Sequence, residues 1–217
     1  IDKHEKPSFA GVDFDSRPAA LRHLLVAKKI IDRHQTKKNI KGLDIGSKYG
    51  FLRKILKEFD IDVLRLDVVE RDDNDGLIIG DGRWLPFEDN SLDFVVLSHV
   101  LAHVEDLPPF MAEIHRCLKP RGEVVVLQNN RYGWWKYWGY YLVRGNDRKI
   151  HYRTFSLWDI KELMRINKLN IQEINSPYYF YLHSKLSPFF YWLDRKFGHR
   201  IPNWISTQFL LVATKDS

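Results

Sequence analysis

The sequence predicts a doubly wound α/β domain on a mainly parallel sheet, and three observations carry that expectation. Seven short apolar runs read as strands, and most are separated by segments whose Leu, Ile and Val recur at helical spacing. The first run, IKGLDIG at 40–46, ends in a glycine turn and passes at once into FLRKILK at 51–57, the strand, turn and helix order of a parallel crossover. Small or polar residues then stand after five successive strands, where open parallel sheets bind their ligands.

The elements follow in order. Asp15-Ser16-Arg17-Pro18 supplies a cap and an early helical proline, and Leu21, Leu24, Leu25 and Ile31 continue as one helical face. After the 40–46 strand and the 51–57 helix, DVLRLDVV at 62–69 is a β-branched and leucine-rich strand, DDNDG a turn, and LIIGDG a further strand. That crossover is abbreviated, because no room remains for a full helix. LDFVVLS at 92–98 reads as a buried strand, and Leu107 to Leu118 as a helix opened by Pro108 and Pro109. Lys119-Pro120-Arg121-Gly122 is a stop and turn before the strand Glu123 to Gln128. Ser156 caps LWDIKELMRINKL, Asn170 to Ile174 is the sixth strand, and QFLLVATK closes the chain.

A chain of 217 residues, 44% hydrophobic and 29% charged, fits one compact domain and excludes a disordered or membrane-embedded class. Cys117 is the single cysteine, so no internal disulfide forms and a reducing, cytoplasmic setting is the expectation. No apolar run is long enough for a transmembrane segment, and the N-terminus lacks an apolar signal centre. Ile1 stands where Met would begin a chain, so residues can precede it. The net charge of +6 comes from scattered basic residues and selects no partner by itself. Aromatics are the compositional signal, at 14% with seven Trp.

The strand ends hold Gly46 and Gly50, then Asp67 and Glu70, then Asp81 and Gly82, then Ser98 and His99, then Asn129 and Asn130. Glycine lets backbone turn through positive φ and approach a ligand closely. The dinucleotide fingerprint G-x-G-x-x-G is absent. His99 and His103 have i, i+4 spacing, but Val100 stands where a zincin glutamate would be, and no cysteine–histidine cluster adds ligands; no metal is expected.

GLDIGSKYG, VLRLDVVE, GDGRWLPFEDNSLDFVVLSHVLAHVED and LPPFMAEIHRCLKPRGEVVVLQ resemble, in order, the class I S-adenosylmethionine-dependent methyltransferases, in particular their small-molecule, type 11-like branch. The later FSLWDIKELMRINKLNIQEI resembles that family's last helix and sixth strand. The resemblance implies a Rossmann-like methyltransferase fold with a seven-stranded sheet, and S-adenosyl-L-methionine as cofactor. It places Gly46, Ser47 and Gly50 in the cofactor loop and Asp44 near the methionine amino group, directly or through water. Asp44 bonding only to loop amides is the structural alternative. Asp67 would accept both ribose hydroxyls, with Glu70 the alternative if the strand runs longer. Asp81 and Gly82 would meet adenine, or form only an Asp-Gly turn; Ser98 and His99 would face the site. Lys48 replaces the central glycine of the family's D-x-G-x-G-x-G loop. It is tolerated if its backbone needs no positive φ and its side chain leaves toward solvent or an acid.

The resemblance also makes 1–217 a single methyltransferase domain with a cofactor-binding core at 15–130. Aromatic-basic insertions at 131–155 and 177–205 would cap the acceptor site. Trp134, Trp135, Trp138 and Tyr141 are the substrate-binding candidates, and a small hydrophobic subdomain packed on the sheet is the plainer reading. A small apolar, aromatic or lipid-like acceptor is expected. The interleaved Arg131, Lys136, Arg144, Arg148, Lys149 and Arg153 make RNA the second choice and peripheral membrane contact a third consideration. If the acceptor must lose a proton, His99 and His151 are the candidate catalytic bases. A non-catalytic scaffold derived from this fold is the alternative that Lys48 motivates.

Overall fold

Strand Leu92–Ser98 is apolar toward both faces and becomes an inner strand of the sheet, as continuous hydrophobic runs do when helices cover both sides. The computed structural model describes residues 8–9, 12–13, 18–70, 74–133, 153–178 and 206–217. Its elements are β1 (Ser8–Phe9), β2 (Val12–Asp13), α1 (Pro18–His34), β3 (Lys41–Ile45), α2 (Phe51–Lys57), β4 (Asp62–Asp67), β5 (Leu77–Ile79), β6 (Leu92–Ser98), a 3-10 turn (Leu101–His103), α3 (Leu107–Cys117), β7 (Leu118–Asn129), α4 (Leu157–Ile166), β8 (Leu169–Tyr178) and β9 (Gln208–Lys215).

The seven-stranded sheet runs β5-β4-β3-β6-β7-β9-β8. The first five in that order are parallel, and β9 is antiparallel to both its neighbours. Because β3 pairs with β4 on one side and β6 on the other, the strand order reverses there, the place where open α/β sheets bind ligands in a crevice beyond the strand ends. One face buries Val26, Ile30, Leu52, Ile55 and Leu56 of α1 and α2 against Val63, Phe94 and Val125. The other buries Phe110, Met111, Ile114, Ile160 and Met164 of α3 and α4 against Leu43, Leu66 and Val95. At the start of α4, Ser156 Oγ accepts the Asp159 N–H and the Asp159 carboxylate accepts the Ser156 N–H, a complete capping box.

The structure differs from expectation at several boundaries. β7 begins at Leu118, because Leu118 pairs with Leu92 before a bulge takes up Lys119 to Gly122 and pairing resumes at Phe94 and Glu123. β8 continues past Ile174 to Tyr178 through two register irregularities, so it enters the stretch expected to be the second insertion. β4 ends at Asp67 rather than Val69. The small β1–β2 hairpin has no counterpart in the sequence reading. Between β5 and β6 the chain forms no helix and is instead fastened to α3. The Arg116 guanidinium donates to the carbonyls of Leu85 and Phe87, and Glu113 accepts the Leu85 N–H.

An ionic cluster fixes α1 to the far half of the sheet. Arg33 makes a two-pronged contact with Glu123 at 2.8 and 2.9 Å, His34 Nε2 lies 3.1 Å from the same carboxylate, and Lys29 reaches Glu173 at 2.7 Å. Burial alone would raise the Glu123 pKa, but His34 and Arg33 overcome it and hold the group at about 2. A folded pKa below the ordinary 4.5 means this contribution is complete above that value and is lost as pH falls toward 2. Glu123→Gln is expected to lower unfolding free energy at neutral pH by about 1.5–3 kcal/mol and to flatten the acid loss. Urea denaturation from neutral pH down to about pH 3 measures both effects.

Candidate functional site

The loop after β3 turns through three left-handed residues, Gly46 (φ 70°), Lys48 (φ 47°) and Gly50 (φ 65°). Gly46 is required twice over, since a Cβ there would also come within 2.4 Å of Val100 Cγ2. The condition set for Lys48 is not met: its backbone does adopt positive φ. Lys48 thus takes a left-handed conformation that costs about 1–2 kcal/mol in a residue other than glycine. Two hydrogen bonds hold it there. The Lys48 N–H donates to Asp67 Oδ2 at 3.0 Å, and its carbonyl accepts from Arg65 Nη2 at 2.7 Å.

Asp67 closes β4, buried, with Oδ1 accepting the Val69 N–H at 3.1 Å. Each carboxylate oxygen therefore accepts from one protein donor and retains capacity for one more. Glu70 is exposed and beyond the strand end, so the strand does not run on to carry it into the crevice. Asp44 lies in β3, 3% exposed and paired in register with Arg65. Burial raises its pKa, Arg65 opposes the rise, Asp67 adds to it, and the group sits at about 7. Ser47 is buried, its Oγ 3.4 Å from Arg65 Nε.

The remaining strand ends are arranged differently. The Asp81 carboxylate accepts from the Arg83 backbone at 2.9 Å and from its guanidinium at 2.6 Å, which holds Asp81 below its ordinary pKa. An adenine amino group would have to share or displace that partner. Gly82 is a packing glycine, since a Cβ would stand 2.4 Å from the Phe110 ring. Ser98 ends β6, and His99 leaves it with φ 59° while its N–H donates to the Leu127 carbonyl. His99 precedes the 3-10 turn that His103 closes, so this i, i+4 pair does not share an α-helical face. Among the described residues no group of three His, Cys, Asp or Glu is placed to hold a metal, and no helix is long and apolar enough to cross a membrane.

Beyond β7, Asn130 donates through Nδ2 to the Ser206 carbonyl and accepts the Tyr132 N–H. It thereby ties the first turn of one expected insertion to the segment that follows the other. Trp134, Trp135, Trp138, Tyr140, Tyr141 and His151 lie outside the described residues, as do Tyr179 to Tyr181 and Phe189 to Trp192. Sequence reasoning missed Arg65 and Arg83. Arg65 had a signal, its position two residues before Asp67 on the same face of a strand.

A glycine loop at the β3–β6 switch, flanked by two buried carboxylates, on a sheet closed by an antiparallel hairpin strand, defines the class I methyltransferase architecture. Residues 43–126 match the family model of the methyltransferase domain, and the fold of this core is the Rossmann-like one of the class I S-adenosylmethionine-dependent methyltransferases. A demethylmenaquinone methyltransferase of Staphylococcus epidermidis is 42% identical over 59 residues, which are 27% of this chain and 24% of that protein. The match thus spans about a quarter of the curated relative's length. Among solved structures, a SAM-dependent methyltransferase from Thermotoga maritima superposes with a TM-score of 0.66 at 21% identity, covering 91% of this chain and 89% of that one. A Haloferax volcanii complex with the Trm112 methyltransferase activator superposes with a TM-score of 0.61 at 18% identity, over 94% and 100%. At such identities the likeness is one of fold.

The Asp44 pKa gives a directional test. Its folded value of about 7 exceeds the ordinary 3.8, so the ligand-free protein loses stability as pH rises between those values and changes little from this group above them. Asp44→Asn is expected to remove that slope and to raise unfolding free energy by more than about 1 kcal/mol above pH 7. Urea midpoints from about pH 4 to about pH 8 read it directly.

Proposed function

We propose that the chain transfers the methyl group of S-adenosyl-L-methionine to a small apolar, aromatic or lipid-like acceptor. The observation that carries this reading is the arrangement at the ends of β3 and β4, where the left-handed loop lies between Asp44 and Asp67. Asp67 would hold the ribose hydroxyls through the acceptor capacity left by Lys48 and Val69. Asp44 would pair with the cofactor's ammonium group near the cationic sulfonium. Asp81 would take the adenine amino group once Arg83 yields, a modest demand because this ion pair is about 40% exposed, 41% for Asp81 and 39% for Arg83. The cofactor supplies an electrophilic methyl carbon, and the protein's work is alignment and exclusion of water.

The name of the Staphylococcus relative supports a quinone-like acceptor, and the aromatic residues Trp134, Trp135, Trp138 and Tyr141 are the proposed surface for it. His99 or His151 would serve as base where the acceptor needs one.

Calorimetry with S-adenosylmethionine and S-adenosylhomocysteine tests the cofactor assignment, and pure, folded protein that binds neither overturns it. Asp67→Ala is expected to weaken S-adenosylhomocysteine by roughly 1.5–3 kcal/mol, and unchanged affinity would reject its role and redirect attention to Glu70. Because Asp44 must ionise to meet the ammonium, affinity should rise with pH through about 7 with proton release, and Asp44→Asn should abolish that dependence. A panel of hydroquinone, lipid and RNA acceptors identifies the substrate class. Replacing Trp134 and Trp135 should raise the acceptor KM while leaving cofactor affinity nearly intact; equal loss of both would assign these residues to packing.

A further inference from the structure

We propose that Arg65 is a positioning residue of the loop: its buried guanidinium and the Asp67 carboxylate clamp Lys48 in the left-handed turn that glycine would otherwise supply. This rests on the cofactor site proposed above, and it concerns how this chain keeps that loop in shape without the third glycine.

The geometry points to the clamp from both ends of one residue. Lys48 donates its own N–H to Asp67 Oδ2 at 3.0 Å, and its own carbonyl accepts from Arg65 Nη2 at 2.7 Å. Holding both groups of one residue fixes its φ and ψ together. Arg65 and Asp67 stand two apart in β4, so the strand's alternation presents both to the same face, beneath the loop. The guanidinium reaches further along that face. Nε lies 3.4 Å from Ser47 Oγ and Nη1 donates to the Asp75 carbonyl at 3.2 Å, joining the loop to the turn before β5.

Gly50 completes the arrangement. A Cβ at Gly50 would lie 2.7 Å from Arg65 Cζ and Nε, so only glycine leaves space for the planar group under the loop. The loop therefore depends on Arg65 in two places, with Gly50 making room for it and Lys48 held by it. Arg65 is 1% exposed and is among the largest fully buried side chains, a costly position for a cation unless its donors are used. The neighbouring Asp44, paired with it in register, gains a compensating charge.

A double-mutant cycle on the whole chain tests the clamp, using wild type, Arg65→Met, Lys48→Gly and the double variant. Two quantities are read: the urea midpoint without ligand and the calorimetric affinity for S-adenosylhomocysteine. Arg65→Met should weaken that affinity about tenfold with Lys48 present but only about two- to threefold in the Lys48→Gly background, because glycine enters the turn unaided. The loss of urea midpoint should shrink in the same way. Equal losses in both backgrounds would overturn the clamp and leave Arg65 as buried packing or charge alone.

Arg65→Lys keeps the charge but not the planar fork, so it should recover only part of the affinity; full recovery would also count against the clamp. If Arg65→Met does not fold, Arg65→Lys and Arg65→Gln carry the same cycle. If wild type binds no S-adenosylhomocysteine, the cofactor reading fails by itself, and the ligand-free urea cycle still decides whether Lys48 and Arg65 are coupled.

Discussion

A cation buried at the end of β4 constrains everything around it. Arg65 is 1% exposed, so its donors must be met inside the protein, and the loop carbonyl of Lys48, the Ser47 hydroxyl and the Asp75 carbonyl are among the groups that meet them. These partners belong to the turn after β3 and the turn before β5. Satisfying one side chain therefore sets the spacing of three strand ends. The parallel register that pairs Asp44 with Arg65 then brings a second carboxylate beside the guanidinium, and Asp67 becomes the third member of a buried charged group. The loop after β3 is therefore tied to this group as well as shaped by its glycines.

Much of the fold was legible because hydrophobic periodicity and turn chemistry act locally. Phe51–Lys57, Leu92–Ser98 and Gln208–Lys215 form where their patterns place them, and Ser156 caps α4 as its position suggests. Differences arise where tertiary pairing overrides local signals. Lys119-Pro120-Arg121-Gly122 has the composition of a turn, yet the pairing of Leu118 with Leu92 draws it into β7 as a bulge. Asn175 to Tyr178 extend β8 because β9 offers an edge for them to pair with.

The site was legible in outline and less so in chemistry. Asp67 and the glycines stand out as strand-end residues and Asp44 through the family resemblance, but no local pattern states that a lysine will take a left-handed turn. That conformation is decided by Asp67 and Arg65, nineteen and seventeen residues away along the chain. The alternation of DVLRLDVV puts Arg65 on the face of Asp67 but does not state its burial, since charged side chains rarely enter cores unpaired. The motif LPFEDNSLDFV was specific as text, and the structure supplies its mechanical reason. With no helix between β5 and β6, the Arg116 guanidinium must hold that segment through the carbonyls of Leu85 and Phe87 and the carboxylate of Asp89.

The charged groups around the crevice differ in how readily they can change partners, and that difference bears on any ligand entering it. Asp81 and Arg83 form a half-exposed pair, so exchanging one partner for a ligand group costs little, because water screens the separated charges. Asp44 has no such freedom. Burial has raised its pKa to about 7, and an incoming cation would be met by a carboxyl that must first give up its proton. The energetic cost of keeping that group in the interior is borne by the fold before any ligand arrives, and a positively charged ligand would recover it on binding. The exposed pair is thus free to exchange partners, whereas the buried carboxyl takes a charge only at the cost of its proton.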